Sequence, residues 1–267
     1  MILLKSLTIV KLGGSVITHK DATPPKLNDT NLARIAKELK THSGELIIVL
    51  GGGAHGHQAA HLHGYANPNS PKDQLLKGIP PIRHNMSNLS SSVESYLNRE
   101  GIPAVVISPF TTVTLKNGMI HSYPTNIIKK SIESELVVVT HGDVCFDIER
   151  AASILSGDTI AVYLAKELNA GKVLIGTDVD GVLDDNPKIN PSAKHIPLIN
   201  QENKEIILSK TGPSTNTDVT GGMSKKLTEL LELSKQDKEI IIFNLTVPGR
   251  LELLLRNEPT ICTRIQS

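Results

Sequence analysis

The stretch that most constrains how this chain folds joins four apolar residues, 47–50, to Gly51, Gly52 and Gly53. Four apolar residues in a row predict a strand that is covered on both faces. The glycines lack a Cβ, so their N–H groups are open to a ligand, and the helix predicted after them adds a positive dipole end. The stretch predicts an anion site, with phosphate as the expected ligand. A plain tight turn remains the alternative for this stretch alone.

Composition narrows the class of protein. The 267 residues include 28 basic and 27 acidic side chains, and aromatic residues make up only 3%, so the sequence lacks the basic and aromatic pattern of a nucleic-acid-binding protein. No apolar run approaches the roughly 20 residues of a membrane span. Cys145 and Cys262 lie far apart and have no CxxC context, which fits a reducing compartment. We therefore expect a cytoplasmic protein with neither a nucleic-acid nor a membrane partner.

Strand and helix patterns alternate along the whole chain. Apolar runs that predict strands occupy residues 7–12, 47–50, 103–108, 136–140, 173–177 and 239–244. Helical stripes lie between them, which predicts a doubly wound α/β fold with a mainly parallel central sheet. Residues 66–81, rich in Asn, Pro, Ser and Lys, are expected to form a surface loop, and Asn117-Gly118 a hairpin turn.

Short motifs rich in glycine follow these strands or open helices. They are Gly13-Gly14-Ser15, Gly51-Gly52-Gly53, Gly142-Asp143, Gly157-Asp158 and the lone Asp178. The carboxyl ends of parallel strands share one edge of the sheet, where ligands bind, so we expect the motifs to meet there. Two glycine-rich anion sites predict two phosphorylated groups held together, with Lys11, Lys20 and Lys226 as candidate phosphate ligands. The sequence contains no Walker-type G-x-x-x-x-G-K-[ST] loop, so the phosphate site has to be built in another way.

The ordered motifs together resemble those of the amino acid kinase superfamily from Lys11 to Ile265. Two of these motifs are Lys11-Leu12-Gly13-Gly14-Ser15 and Gly51-Gly52-Gly53. The other three are Ser156-Gly157-Asp158, Thr177-Asp178-Val179-Asp180-Gly181 and Thr220-Gly221-Gly222-Met223 followed by Lys226. Within the superfamily the chain is most similar to the isopentenyl phosphate kinases of archaeal type. That narrower resemblance depends on Val16-Ile17-Thr18 before Lys20, Gly56-His57, Gly142-Asp143-Val144 and Asn216-Thr217-Asp218-Val219-Thr220.

This resemblance implies a fold and a division of labour. The fold is an open αβα sandwich with a mainly parallel central sheet, formed by a single domain over residues 1–267. An N-terminal lobe of about residues 1–170 would bind the acceptor and form a homodimer. A C-terminal lobe of about residues 171–267 would bind the nucleotide. The implied reaction is phosphorylation of isopentenyl phosphate to isopentenyl diphosphate, with ATP as donor and Mg²⁺ as cofactor.

The resemblance also implies roles for individual residues. On the nucleotide side, the ATP phosphates would be held by Lys11, Gly13, Gly14 and Ser15, the γ-phosphate by Gly53, and the rest of the nucleotide by Asp178, Gly222 and Lys226. On the acceptor side, the phosphate of the small monophosphate substrate would be held by Gly52, Gly157 and His57. Lys20 would neutralise the transferred phosphoryl group, and Asp158 would orient the lysines. No residue is assigned as a direct metal ligand.

The acceptor side departs from the usual pattern of these kinases. They usually have Gly-Gly-Gly-Ser-Phe-Gly-His, whereas Ala54 and His55 stand here in place of Ser and Phe, and Leu50 stands where a His is common. Fosfomycin kinases share the Ala and the Gly-His, so a phosphonate acceptor is one alternative. The helical stripe of Ile82, Met86 and Leu89 is a candidate wall for an isoprenoid tail, with plain core packing as the simpler interpretation.

A metal site is the alternative from a different class of function. His55, His57, His61 and His63 lie within nine residues, and His57 and His61 have the i,i+4 spacing that brings two imidazoles to one helix face. No carboxylate or cysteine lies within the stretch to complete a ligand set, which argues against a metal-binding module.

Overall fold

A computed structural model of the chain describes residues 6–185, 190, 192–210, 222–236 and 238–266, with the side chains of residues 210 and 222–226 outside that description. Its strands are β1 (Thr8–Leu12), β2 (Thr18–His19), β3 (Lys26–Leu27), β4 (Leu46–Leu50), β5 (Ala104–Val106), β6 (Thr114–Lys116), β7 (Met119–Ser122), β8 (Val137–His141), β9 (Asp143–Asp147), β10 (Ala151–Leu155), β11 (Lys172–Thr177), β12 (Val182–Leu183), β13 (His195–Ile196), β14 (Leu198–Ile199), β15 (Glu239–Asn244) and β16 (Thr263–Ile265). Its helices are α1 (Gly14–Ile17), α2 (Asp29–Leu39), α3 (Gly53–Leu62), α4 (Lys72–Arg99), α5 (Asn126–Glu133), α6 (Gly157–Glu167), α7 (Lys204–Lys210), α8 (Gly222–Ser234) and α9 (Arg250–Leu255), and residues Pro109–Thr111 form a 3₁₀ turn.

One eight-stranded sheet crosses the protein in the order β14-β16-β15-β11-β1-β4-β8-β5. Every neighbouring pair is parallel except β15 and β16. Four of its strands precede residue 170 and four follow it, so the sheet runs through both proposed lobes. The mainly parallel α/β sheet predicted from the sequence is confirmed.

Helices cover both faces of this sheet because its strands are apolar on both sides. On one face, Val10 and Leu12 of β1 pack with α2, α3, α4 and α9. On the other, Ile9 of β1 packs with α5, α6, α7 and α8. The two cores make the open αβα sandwich that the sequence predicted, and they account for the near-continuous apolar strands.

The strand order reverses direction at β1, and this places a crevice at one edge. From β1 the chain builds outward to β4 and β8 on one side, and later to β11 and β15 on the other. Leu12 is in register with both Leu50 and Gly176, and Leu50 is in register with His141. The residues after these strands therefore lie side by side, at the switch point where doubly wound sheets bind ligands.

A small second sheet lies beside α4, in the order β10-β9-β6-β7. The predicted hairpin at Asn117-Gly118 is confirmed, since both residues have positive φ and connect β6 to β7. The β9–β10 hairpin was not predicted as strands. It runs from the end of β8 to Ser156 and delivers the chain to the start of α6.

The surface loop predicted over residues 66–81 is wrong from Lys72 onward. That part is the first third of α4, which continues through Pro80 and Pro81. Its packing explains the difference, since Leu75 is buried and a Cβ on Gly78 would lie only 2.7 Å from the Cβ of His63. Tertiary packing therefore outweighs the helix-breaking tendency of the two prolines. In the described residues, no helix is both long and apolar enough to cross a membrane.

Candidate active site

Two glycine turns meet backbone to backbone at the carboxyl ends of β1 and β4. A Cβ on Gly14 would overlap the amide of Gly53, and one on Gly51 would lie 2.7 Å from the nitrogen of Gly14. On the other side, a Cβ on Gly13 would lie 2.6 Å from the carbonyl oxygen of Gly176, the residue of β11 in register with Leu12. Only glycine allows this approach, which gathers three strand ends around one crevice.

These turns form the floor of a cleft of about 1000 Å³. Apart from the two predicted on α8, all of the predicted site residues line it, namely Lys11, Gly13, Gly14, Ser15, Lys20, Gly52, Gly53, His57, Gly157, Asp158 and Asp178. Their distance along the chain reaches 167 residues, from Lys11 to Asp178. The fold therefore brings these residues together, although their individual roles stay predictions.

Lys11 is the only charged side chain in β1, and it is buried. Its Nζ lies 3.1 Å from Oδ1 and 3.3 Å from Oδ2 of Asp158, on the first turn of α6. Burial of a lysine in an apolar strand is unfavourable unless a partner compensates the charge, and Asp158 supplies that partner. The pair holds an ammonium group beside the glycine turns.

Lys20 is held in a different way. Its Nζ lies 2.6 Å from Oδ2 of Asp178, and about half of its side chain is exposed. Burial alone would raise the pKa of the Asp178 carboxyl, but the hydrogen bond and charge of Lys20, together with a hydrogen bond from Ser15, lower that pKa below its usual range. Asp158 was expected to orient the lysines, and the structure shows that Asp178 contacts Lys20 while Asp158 contacts Lys11.

Among the described residues, two helices of at least ten residues begin at positions that line the cleft. The first is α3, which follows Gly52, and the second is α6, whose Ser156 side chain accepts a hydrogen bond from the Thr159 amide at 3.0 Å. The first amides of a helix have no partner within it, and they sit at the positive end of the helix dipole. Gly53 and Gly157 thus place two anion-binding ends in one cleft.

His55 and His57 are two residues apart on α3 and have different surroundings. His57 lines the cleft. His55 is buried, its Nδ1 has no hydrogen-bond partner among the described residues, and burial lowers its pKa. Of the two, only His57 lines the cleft.

Apolar side chains also line the cleft and form one wall of it. Ile82 and Met86 of α4 line it, as do Ile154 and Leu155 at the end of β10. Ile82 and Met86 are each only 1% exposed and belong to the same core cluster as Leu89, the third residue proposed for this wall, but Leu89 does not line the cleft. The cleft can therefore receive an apolar group next to its anion-binding ends.

Arg83 was missed by the sequence analysis. Its guanidinium pairs with the carboxylate of Asp143 on β9, and it lies over the ring of Phe110 at 5.2 Å from the centroid. Nδ1 of the buried His141 lies 3.4 Å from Oδ2 of Asp143. Burial raises the pKa of Asp143 to about 7, although Arg83 acts in the opposite direction. Burial also lowers the pKa of His141 to about 4, so this imidazole is neutral at pH 7.

Two predicted nucleotide residues lie on α8. Gly222 is its first residue, and the side chain of Lys226 lies outside the described residues, as do residues 216–221. Further along α8, Glu229 lies 3.2 Å from the hydroxyl of Thr159 on α6. The helix therefore packs beside the first turn of α6.

The histidine-cluster alternative requires a set of metal ligands. In the part of the chain that the structure describes, no three His, Cys, Asp or Glu side chains are grouped closely enough to hold a metal ion. His57 and His61 both line the cleft. No third ligand joins them within that part.

Comparisons with known proteins agree with this geometry. The model of the amino acid kinase family matches residues 6–244. An isopentenyl phosphate kinase from Methanothermobacter thermautotrophicus is 36% identical over 263 residues, which cover 96% of this chain and 98% of that protein. Another from Methanocaldococcus jannaschii is 37% identical over 233 residues, which cover 83% of this chain and 85% of that protein.

A solved structure of isopentenyl phosphate kinase has the same fold along nearly its whole length. It superposes with a TM-score of 0.85 at 32% identity, and the match covers 97% of this chain and 100% of that one. The resemblance inferred from the ordered motifs is confirmed. The chain therefore belongs to the amino acid kinase family, and within it to the isopentenyl phosphate kinases.

Proposed function

We propose that this protein transfers the γ-phosphoryl group of ATP to isopentenyl phosphate, forming isopentenyl diphosphate and ADP. An oxygen of the acceptor phosphate forms the new bond to the γ-phosphorus, and the bridging oxygen of ATP leaves on ADP. The proposal depends mainly on one observation about the cleft. The N-termini of two helices that begin at glycines, two lysine–aspartate pairs and an apolar wall all lie in that cleft. Because the acceptor is already an anion, positioning and charge neutralisation suffice, without a strong general base.

On the donor side, Lys11 and the turn of Gly13, Gly14 and Ser15 hold the ATP phosphates, with Gly53 at the γ-phosphate. Asp158 keeps the ammonium of Lys11 in place, as their 3.1 Å contact supports. Lys20 moves from Asp178 to the transferred phosphoryl group as negative charge shifts in the transition state. Asp178, Gly222 and Lys226 complete the nucleotide site.

On the acceptor side, the amides of Gly52 and Gly157 and the imidazole of His57 bind the phosphate. The five-carbon tail lies against Ile82 and Met86. This apolar wall favours an alkyl phosphate over fosfomycin, whose small polar ring would leave the wall without a partner.

Mg²⁺ is part of the proposal. Four aspartates line the cleft, namely Asp21, Asp143, Asp158 and Asp178. Asp158 and Asp178 each contact a lysine, and Asp143 pairs with Arg83. This donor set fits a Mg²⁺ ion that takes most of its ligands from phosphate oxygens and water, which is its usual preference at sites of phosphoryl transfer. When bound, the ion would neutralise part of the phosphate charge, and the lysines would neutralise the remaining phosphate charge.

The test is a coupled assay of ADP release with a panel of acceptors. The panel contains isopentenyl phosphate, dimethylallyl phosphate, fosfomycin, carbamate and N-acetylglutamate. We expect the highest kcat/KM with isopentenyl phosphate, no turnover with the last two, and loss of activity when EDTA removes Mg²⁺. Preferred turnover of fosfomycin would replace the proposed substrate, and stoichiometric zinc without ATP binding would favour the metal-site alternative.

We further propose that the protein is a cytoplasmic homodimer joined through its N-terminal lobe. Large exposed apolar side chains in that lobe include Met119, Ile127, Phe146 and Ile148, which supports an interface there. Both cysteines are buried free thiols, as suits a reducing compartment. Light scattering should give twice the 28.8 kDa mass of the chain, and a monomer at micromolar concentration would contradict the dimer.

A further inference from the structure

The ion pair between Arg83 and Asp143 connects two walls of the cleft. Arg83 lies on α4 beside Ile82, and Asp143 is the first residue of β9. The carboxylate is fully buried and the guanidinium is about one fifth exposed. Oδ1 of Asp143 also accepts a hydrogen bond from the amide of Val144 at 2.9 Å. Arg83 and this amide therefore hold the two oxygens of the carboxylate.

Asp143 is coupled to the start of α6 through the β9–β10 hairpin. It is in register with Leu155, two residues before Gly157. A Cβ on Gly142 would lie 3.0 Å from the nitrogen of Gly157, and one on Gly157 would lie 2.8 Å from the carbonyl oxygen of Leu50. The amide of Gly142 donates to that same oxygen at 2.9 Å. The turn that Asp143 anchors is therefore the direct support of the Gly157 amide.

We propose that Arg83 and Asp143 form a positioning pair for the acceptor, one that sets the distance between the Gly157 amide and the α4 wall. The inference rests on the proposed function of that amide and of the wall. Both residues act through the groups that they hold in place, and neither contacts the reacting atoms. When the pair is broken, the hairpin and α4 separate, and the acceptor's phosphate and tail no longer reach their two sites together.

The surroundings of Asp143 make the pair sensitive to pH. The charged or titratable groups that face the carboxylate are Arg83 from α4, His141 from β8 and Cys145 on its own strand. His141 is neutral above about pH 4, and burial raises the pKa of Cys145 far above neutrality. Among these groups, only the Asp143 carboxyl changes its charge near pH 7, so the ion pair with Arg83 forms as the pH rises above about 7.

The experiment is a double-mutant cycle of Arg83→Ala, Asp143→Asn and the variant with both changes. We expect KM for the acceptor to rise roughly 10- to 100-fold in each, because small displacements of a bound group are costly, while KM for ATP stays within about twofold. The double variant should be no worse than the poorer single variant, since the two residues act as a unit. It also removes both charges together, so it tests the proposal even where a lone buried charge prevents folding.

The pH profile separates this role from a general loss of structure. In the wild type, acceptor KM should fall as the pH rises through about 7. In Asp143→Asn it should follow only the second ionisation of the acceptor phosphate, near pH 6. Arg83→Lys should recover part of the acceptor affinity. Arg99→Ala is the matched control, because Arg99 is on the same helix and also lies over an aromatic ring, that of Tyr96.

All assays use the acceptor that the wild-type protein turns over fastest in the panel, so a wrong substrate and a wrong positioning role give different results. Acceptor KM within twofold of wild type in the double variant would overturn the proposal. So would multiplicative effects of the two single changes, or a pH profile of Asp143→Asn identical to that of the wild type.

Discussion

At the scale of single residues, the two cleft lysines differ in how tightly they are held. The side chain of Lys11 is 8% exposed against Asp158, whereas that of Lys20 is 51% exposed against Asp178. A half-exposed ion pair contributes little to stability, so Lys20 can leave its partner at small cost. That freedom suits a group that acts on a charge appearing only during the reaction.

Lys20→Ala should therefore lower turnover far more than it lowers ATP affinity. Loss of one preorganised charge in the transition state costs about 10²- to 10³-fold in kcat, while Lys11 and the glycine turn still bind ATP. Steady-state kinetics and calorimetric titration of ATP measure the two quantities. The exposed Lys130→Ala, which removes only a surface pair with Glu133, is the control. Near wild-type turnover with weak ATP binding would remove Lys20 from this role.

The two neighbouring histidines of α3 should respond differently to substitution. His57→Ala is expected to lower kcat/KM for the acceptor by roughly 100-fold, with ATP binding and thermal stability unchanged, because an imidazole hydrogen bond to the acceptor phosphate is lost. His57→Gln should retain part of the activity. His55→Ala should affect stability rather than catalysis, since His55 is buried away from the cleft. Equal losses of activity at both positions, restored by zinc, would favour a metal site.

At the scale of elements, the sequence predicted those features that depend on local chemistry. The apolar strands, the Asn117-Gly118 turn and the glycine motifs before residue 186 are encoded within a few residues, and each was located correctly. Arg83 and its role were not predictable, because its partner Asp143 is 60 residues away. The prolines before it also hid the first third of α4, which forms because Leu75 and Gly78 pack against the fold.

The β6–β7 and β9–β10 turns depend on one buried carboxylate. Asp147 accepts hydrogen bonds from the amides of Asn117 (3.1 Å), Gly118 (2.7 Å), Glu149 (3.0 Å) and Arg150 (3.1 Å), and from the hydroxyl of Ser153 (2.8 Å). Burial by itself would raise the pKa of Asp147, but these hydrogen bonds lower it to about 2. The folded state therefore favours the ionised form, and this stabilisation is present above pH 3.8 and is lost as the pH falls through about 2.

Asp147→Asn should lower the free energy of unfolding at pH 7 by about 2 kcal/mol, because an amide oxygen replaces a charged acceptor. The difference from wild type should shrink below about pH 4, where the wild-type carboxylate loses its advantage. Urea unfolding at pH 7 and pH 3 measures it. Asp73→Asn removes an exposed pair with Lys77 and a first-turn charge of α4, so it should lower stability by less than about 1 kcal/mol. A deficit that stays constant with pH would show that charge is not the cause.

At the scale of the whole molecule, one sheet brings the proposed donor and acceptor sites together. The strand order reverses at β1, so the glycine turn after β1 touches both the turn after β4 and the end of β11. In the proposed mechanism, the backbone contact between Gly14 and Gly53 lies between the ATP phosphates and the acceptor phosphate held by Gly52. The two ligands should consequently depend on a single interface of the fold, although their binding residues lie far apart in sequence.

Ligand binding should stabilise the protein through that shared contact. A non-hydrolysable ATP analogue with Mg²⁺ at 100 times its Kd should add about 2.7 kcal/mol, which raises Tm by roughly 5 °C for a chain of this size. In Gly14→Ala, the new Cβ would overlap the Gly53 amide and separate the two turns. The rise in Tm at the same concentration of analogue should fall below about 1 °C, and the rise caused by isopentenyl phosphate should shrink with it.

Gly101→Ala provides the matched control for this substitution. Gly101 has a φ of +83° and open space around its Cα, so alanine there costs roughly 1–2 kcal/mol of stability through backbone strain alone. That variant should start from a lower Tm yet show the full ligand-induced rise. If Gly14→Ala kept the full rise with both ligands, the two glycine turns would not be the common boundary of the donor and acceptor sites. If Gly14→Ala lost the rise in Tm with the ATP analogue but kept it with isopentenyl phosphate, the contact would belong to the donor site only.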